Sequence, residues 1–244
     1  MLIEKLEVLT TNRDYPVLYP AEFDCDCDPD FSYKVGKLKG IPVFNLPALD
    51  TCPHRTWLCE AACYAQKGHF TRPRARNLLK RNHQASKCDC FVRRMTYIIK
   101  NLLNYVILTK HMVIRWHSSG DFYSRKHFRK CVDLAELFPE ITFFAYTRNY
   151  TLDLNLCPDN FIVFYSRDVT TKKINLTAKK HSFMMNHHKD KVKVPHLTKY
   201  KNGVICTSNR CDLCKYCWEG KGDVYFPQKY KTHEVKNPSI KDKI

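Results

Sequence analysis

The stretch from Met112 to Arg148 reads MVIRWHSSGDFYSRKHFRKCVDLAELFPEITFFAYTR, and its reading decides the fold. Met112 to His117 is an apolar run that predicts a buried strand, and Ser118-Ser119-Gly120-Asp121 predicts the turn after it. Phe128, Cys131, Val132, Ala135 and Phe138 then recur at helical spacing until Pro139 stops the pattern. Ile141 to Arg148, ITFFAYTR, is rich in β-branched and aromatic residues, as strands are. Phe161 to Asp168, FIVFYSRD, has the same character. Apolar strands alternating with helices predict a parallel sheet with helices outside it. The βα units are too few for a complete eight-stranded barrel. The expected fold is α/β, a partial (β/α) barrel or an open parallel sheet, followed by a cysteine-rich metal-binding C-terminal segment.

The reading extends from there to both ends. Ile41 to Pro47, IPVFNLP, predicts a short buried strand closed by proline. The residues before it form an irregular leader, 1–40. Its DCDCDPD stretch (Asp24 to Asp30) reads as a solvated acidic turn whose spacing does not match a calcium loop. RPRARNLLKRNHQAS is strongly basic and begins a helix after Pro73. Phe91, Met95, Ile98, Leu102 and Val106 mark a second helix with one face on the core, with Cys88 and Cys90 in the connection before it. After Asp168 the chain turns basic and irregular, and His181, His187 and His188 read as surface residues. The α/β core is expected over 41–200, and a four-cysteine segment with a basic tail over 201–244.

The net charge is +17, from 41 Lys and Arg against 24 Asp and Glu in 244 residues. Such an excess favours a polyanionic partner, nucleic acid or nucleotide, although a solubilising surface gives the same count. Hydrophobic residues at 44% and aromatics at 13% supply a core. Glu4 and Glu7 interrupt any signal-peptide pattern, and no apolar run approaches the roughly 18 residues of a membrane helix. A cytoplasmic protein is expected. There, 13 cysteines, an odd number, point to metal ligands or redox groups more than to disulfides. The chain lacks a phosphate-cradling glycine-rich loop, which disfavours P-loop and Rossmann enzymes.

Three strands end in polar residues: RWHSSGD, AYTRN and YSRD. Parallel α/β folds collect functional groups at such strand ends. Arg115, His117, Ser119, Asp121, Tyr146, Arg148, Ser166 and Arg167 are therefore candidates for one cleft. The competing reading is that some cap helices or face solvent, as Asp121 would do at the start of the next helix.

Two cysteine groups carry the strongest chemical signal. Cys206, Cys211, Cys214 and Cys217 give C-x4-C-x2-C-x2-C, in a polar setting unsuited to a core. Paired C-x2-C steps converge thiolates on one centre; sharing Cys214 favours iron–sulfur ligation, with zinc as the alternative. Cys52, Cys59 and Cys63 lie in TCPHRTWLCEAACYAQKGHF (Thr51 to Phe70) as C-x6-C-x3-C. Three thiolates on a 4Fe–4S cluster leave one iron open for substrate or cofactor. Either the chain holds an open three-cysteine site and a closed four-cysteine site, or both groups serve one centre. A cysteine-nucleophile hydrolase is disfavoured, since nothing marks one cysteine beside a histidine base.

FNLPALDTCPHRTWLCEAACYAQKG, VIRWHSSGDFYSRKHFRKCVDLAELFPEITFFAYTR and CDLCKYCW together resemble the phage "gene product 88" family. The resemblance runs from about Ile41 to Trp218 and implies a phage or mobile-element setting. More distantly, the layout is similar to the radical SAM superfamily, with a three-cysteine loop after the first strand and an acidic glycine motif ending the second. That similarity implies S-adenosylmethionine held by Ser119, Gly120 and Asp121. It implies Arg115, His117, Tyr146 and Arg148 facing substrate beside Asp121. The expected function is thus an iron–sulfur enzyme acting on nucleic acid or nucleotide. The alternative is a non-catalytic nucleic-acid-binding protein with structural metal sites, its basic stretches interleaved with Tyr and Phe.

Overall fold

The computed structural model describes residues 6–8, 18–20, 27–33, 36–38, 40–104, 112–188 and 194–228. Cys25, Val106, the side chains of His187 and His188, and the basic tail beyond 228 lie outside them. A two-stranded antiparallel ribbon pairs β1 (Leu6–Val8) with β2 (Leu18–Pro20). The main sheet has eight strands: β3 (Val43–Phe44), β4 (Val113–Trp116), β5 (Thr142–Thr147), β6 (Phe161–Arg167), β7 (His181–His188), β8 (Thr198–Tyr200), β9 (Gly203–Ile205) and β10 (Asp223–Gln228). Their spatial order is β3-β4-β5-β6-β7-β10-β9-β8. All neighbours are parallel except β8 and β9.

From β3 to β7 the spatial order follows chain order, which is how barrels wind, but the sheet stays open. The fold expected from Met112 to Arg148 is present. The strand ends fall within a residue or two of the expected ones, as helical and strand periods dictate. One expectation fails: the stretch after Asp168 is not irregular, because β7 and β8 lie in it. HSFMMNHH contains no β-branched residue, so its strand character comes from pairing between β6 and β10 and not from propensity. Moreover β9 and β10 carry the four-cysteine segment into the same sheet.

Among the described residues the α-helices are α1 (Trp57–Ala61), α2 (Pro73–Lys87), α3 (Phe91–Asn104), α4 (Arg125–Leu137) and α5 (Cys211–Cys214). Pro73 opens α2 where a missing N–H costs nothing, and the Ser124 hydroxyl caps α4 by accepting from His127 N–H at 3.1 Å. Alternation along the strands gives the sheet two apolar faces. Ile114, Trp116, Phe143, Ala145 and Val163 meet the Met95, Ile98, Phe128 and Val132 faces of α3 and α4. Val43, Val113 and Phe144 point the other way, where Trp218, Leu38 and the flanks of Cys211 and Cys217 cover them. Helices thus lie on one face of this part of the sheet, and the cysteine-rich segment covers the other.

Candidate metal centre

The C-terminal ends of β3 to β6 are tied together by buried polar side chains. Asn45 Oδ1, just after β3, accepts from Ser118 N–H at 2.9 Å, Ser118 Oγ–H at 2.8 Å and Ser119 N–H at 3.0 Å. Ser119 Oγ donates to the Leu46 carbonyl at 2.9 Å. Gly120 sits at φ +82°, and a Cβ there would lie 2.5 Å from Thr51 Oγ1 and 2.6 Å from Leu46 Cβ. Glycine therefore lets the β4 turn press against the loop that leads into Cys52.

Asp121 fastens β4 to β5. Its Oδ1 accepts from Phe122 N–H at 2.7 Å and the Thr147 hydroxyl at 2.6 Å, and its Oδ2 accepts from Arg148 N–H at 2.8 Å. Burial pushes its carboxyl up to about 6, against the pull of those three donors. Asp168, at the end of β6, faces Arg148 at 2.8 Å and accepts from the Thr56 hydroxyl at 2.6 Å. Burial raises the Asp168 carboxyl, but Arg148 and hydrogen bonds from Thr170 and Thr56 more than offset it and leave it below the ordinary value.

Cys52, Cys59 and Cys63 lie near enough to this arrangement to feel its charges and one another's. Burial pushes the Cys52 thiol up to about 12, with Asp121, Cys59 and Cys63 adding to the effect. Cys59 is raised by burial and by Cys63, Asp168 and Asp121, while Arg148 pulls it down. The three thiols thus share one neighbourhood with Asp121, Arg148 and Asp168. Thr56 fixes the loop, since its hydroxyl also accepts from Cys59 N–H at 3.1 Å. Tyr64, which follows Cys63, donates its hydroxyl to the Ser118 carbonyl.

The four C-terminal cysteines also converge. Cys217 is pushed up to about 12 by burial, lowered by a hydrogen bond from Tyr146, and raised by Cys206 and Cys211. Cys214 feels Cys206, and its Sγ lies 3.0 Å from His196 Nε2. His196 is a neighbour that sequence spacing did not single out. Arg115 stands between the two groups. Its guanidinium lies 5.2 Å from the Tyr146 ring and 5.6 Å from the Phe144 ring. Burial raises Tyr64 on one side and Cys211 and Cys217 on the other, and the Arg115 charge opposes that rise in all three. Arg115 Nε is buried without a hydrogen-bond partner.

The predicted cleft residues therefore divide. Asp121, Arg148 and Ser119 gather at the first cysteine group. Arg115 and Tyr146 turn to the sheet face under the second. Arg167 lines an open cleft of about 320 Å³ with Asp168, Phe183, Tyr200, Lys201 and Tyr225. Ser166 bonds Ser182 Oγ at 2.8 Å. His117 lies apart, on the helical side, with Nε2 3.2 Å from His127 Nε2. Burial lowers His117 to about 3 and takes His127 well below its usual value.

Among the described residues, the three metal-type ligands whose donor atoms all lie within 4.8 Å of one another are Cys27, Cys88 and Cys90. They are close enough to hold a metal ion. The sequence predicts a solvated turn at DCDCD, yet Cys27 is buried. The overlooked signal was two C-x-C steps, one in each segment.

An open, mostly parallel α/β sheet with cysteine groups at its strand ends, on one face and at a helix junction defines a cysteine-rich α/β protein. Over residues 29–220 the chain matches the family described as Gene product 88, and it belongs to that family. No curated protein and no solved structure matches it. Among the described residues, no helix is long and apolar enough to cross a membrane.

Proposed function

We propose that this chain is an iron–sulfur redox enzyme, radical-SAM-like in layout, that acts on nucleic acid or a nucleotide in a phage or mobile-element setting. The observation that carries this reading is the gathering of Cys52, Cys59 and Cys63 at the C-terminal mouth of strands wound in chain order. Three thiolates at one site suit a cuboidal cluster that keeps one iron open. A cluster would supply one-electron chemistry and an open iron for a cofactor or substrate.

The chain's own residues hold the mouth. Asn45 and Gly120 fix the turn, and Asp121 locks β4 to β5. With three donors on its carboxylate, Asp121 keeps one acceptor direction for the ammonium of S-adenosylmethionine. Arg148 and Asp168 link the first cysteine group to the cleft beside it. That cleft joins Arg167 and Lys201 to stacked Phe183 and Tyr225, whose ring centroids lie 4.7 Å apart, a pairing suited to phosphate and base. Exposed Arg72, Arg76 and Lys80 on and before α2 extend the positive surface from the cysteine loop.

A second reading has its own observation. His196 against Cys214 gives the C-terminal group a mixed nitrogen and sulfur set, which suits structural zinc. Electron paramagnetic resonance on reduced, anaerobically reconstituted protein separates the two readings. A cluster signal that changes on adding S-adenosylmethionine, and disappears in Cys59→Ala, supports the enzyme. A zinc-loaded, signal-free protein that still binds single-stranded nucleic acid supports the binding protein.

A further inference from the structure

We propose that Cys27, Cys88 and Cys90 together bind one zinc ion that clamps the N-terminal segment to the junction between α2 and α3. The three sulfurs lie within 4.8 Å of one another. Zinc–sulfur bonds of about 2.3 Å in tetrahedral geometry put ligating sulfurs about 3.8 Å apart, so three sulfurs within 4.8 Å of one another can share a single ion. Cys88 ends α2 and Cys90 immediately precedes α3, so a tight turn presents two thiols side by side. Phe91 N–H donates to the Cys88 carbonyl at 3.2 Å and Arg94 N–H to the Cys90 carbonyl at 2.9 Å, which fixes that turn.

The structure pairs Cys27 with Cys90 as a disulfide, and that is the competing chemistry. Their Cα atoms are 7.5 Å apart, whereas disulfides usually span about 4.4–6.8 Å. A disulfide would also leave the third sulfur, Cys88 Sγ, outside the pair, with only the Gln84 carbonyl at 3.6 Å as its partner among the described residues. An ion uses all three sulfurs and tolerates the wider backbone separation.

The surroundings are built to hold such a site. Asp30 N–H donates to Asn82 Oδ1 at 2.8 Å, and Asn82 Nδ2 donates back to the Asp30 carbonyl at 2.9 Å. Arg81 reaches Asp28 at 3.3 Å and Asp30 at 3.4 Å. Cys27 is thereby held against α2. On the other side, Lys130 extends from α4 and donates to the Ser86 carbonyl at 3.0 Å and the Cys88 carbonyl at 2.6 Å. Three thiolates on a divalent ion leave one net negative charge, and the buried Lys130 ammonium balances it. Outer partners of this kind orient metal ligands and tune their affinity.

The test is mass-mapped alkylation of the full chain, with and without a chelator and with and without a reductant. The site predicts that Cys27, Cys88 and Cys90 are all protected in the native protein and become reactive once the chelator is added, without reductant. Zinc content should fall by about one equivalent in Cys88→Ser, a residue that a disulfide would not need. Two outcomes overturn the proposal. In one, Cys27 and Cys90 stay blocked until reductant is added while Cys88 reacts freely. In the other, all three react in the native protein. The alkylation needs no variant, so a poorly folding Cys88→Ser does not block the answer.

Discussion

His127→Phe isolates a pH dependence written into the helical side of the sheet. His117 and His127 are fully enclosed, and their Nε2 atoms lie 3.2 Å apart. Burial holds both imidazoles neutral, His117 down to about 3 from an ordinary 6.5 and His127 well below 6.5. The folded chain therefore refuses protons that the unfolded chain accepts below pH 6.5. A depressed folded value means stability present above 6.5 and lost as the pH falls below it. From pH 7 to pH 5 each neutral histidine costs about 2 kcal/mol, or about 4 kcal/mol for the pair. Phenylalanine fits among Phe91, Phe122 and the stacked Tyr123 ring, and it cannot take up a proton. Urea denaturation at the two pH values should show the variant losing about 2 kcal/mol less than the wild type on acidification. Carboxylates and metal release contribute to both proteins and cancel in the difference. An identical pH dependence in the two would refute the reasoning.

Three further predictions follow from the site. Gly120→Ala forces a Cβ to within 2.5 Å of Thr51 Oγ1 at φ +82°; denaturation should show a loss of about 1–3 kcal/mol, and metal content at the first cysteine group should fall with it. Trp218→Ala uncovers Phe144, whose ring lies 5.6 Å from that of Trp218, and should cost about 3–5 kcal/mol by the same measurement. His196→Ala removes the nitrogen 3.0 Å from Cys214 Sγ and should weaken metal retention at the C-terminal group by about 10–100-fold in a chelator competition.

The sheet was legible because its central strands are apolar enough to be buried on both sides. FIVFYSR and TFFAYT carry their own signal, and so does the period of Phe128, Val132 and Ala135 on α4. HSFMMNHH was not legible, since its strand depends on the β10 partner about forty residues later. The two long-spaced cysteine groups could be read from local spacing. The grouping of Cys27 with Cys88 and Cys90 spans more than sixty residues and is made by the packing of the leader on α2. Strand ends made Arg115, Tyr146 and Arg148 candidates for one cleft. Alternation then assigns them to different sides: Arg115 and Tyr146 share one face, while Arg148 lies beyond the strand, at the mouth. His117 leaves the strand at φ +57°, which turns it toward His127 and away from the cysteines. No residue pattern marks that turn in advance.

The most direct test of the central claim is iron, sulfide and zinc analysis, with a visible spectrum, on protein purified without oxygen. The account predicts iron and sulfide in comparable amounts with broad visible absorbance, lost when Cys52, Cys59 or Cys63 is replaced by Ala. Colourless protein holding zinc alone, unchanged by those three substitutions, would contradict it.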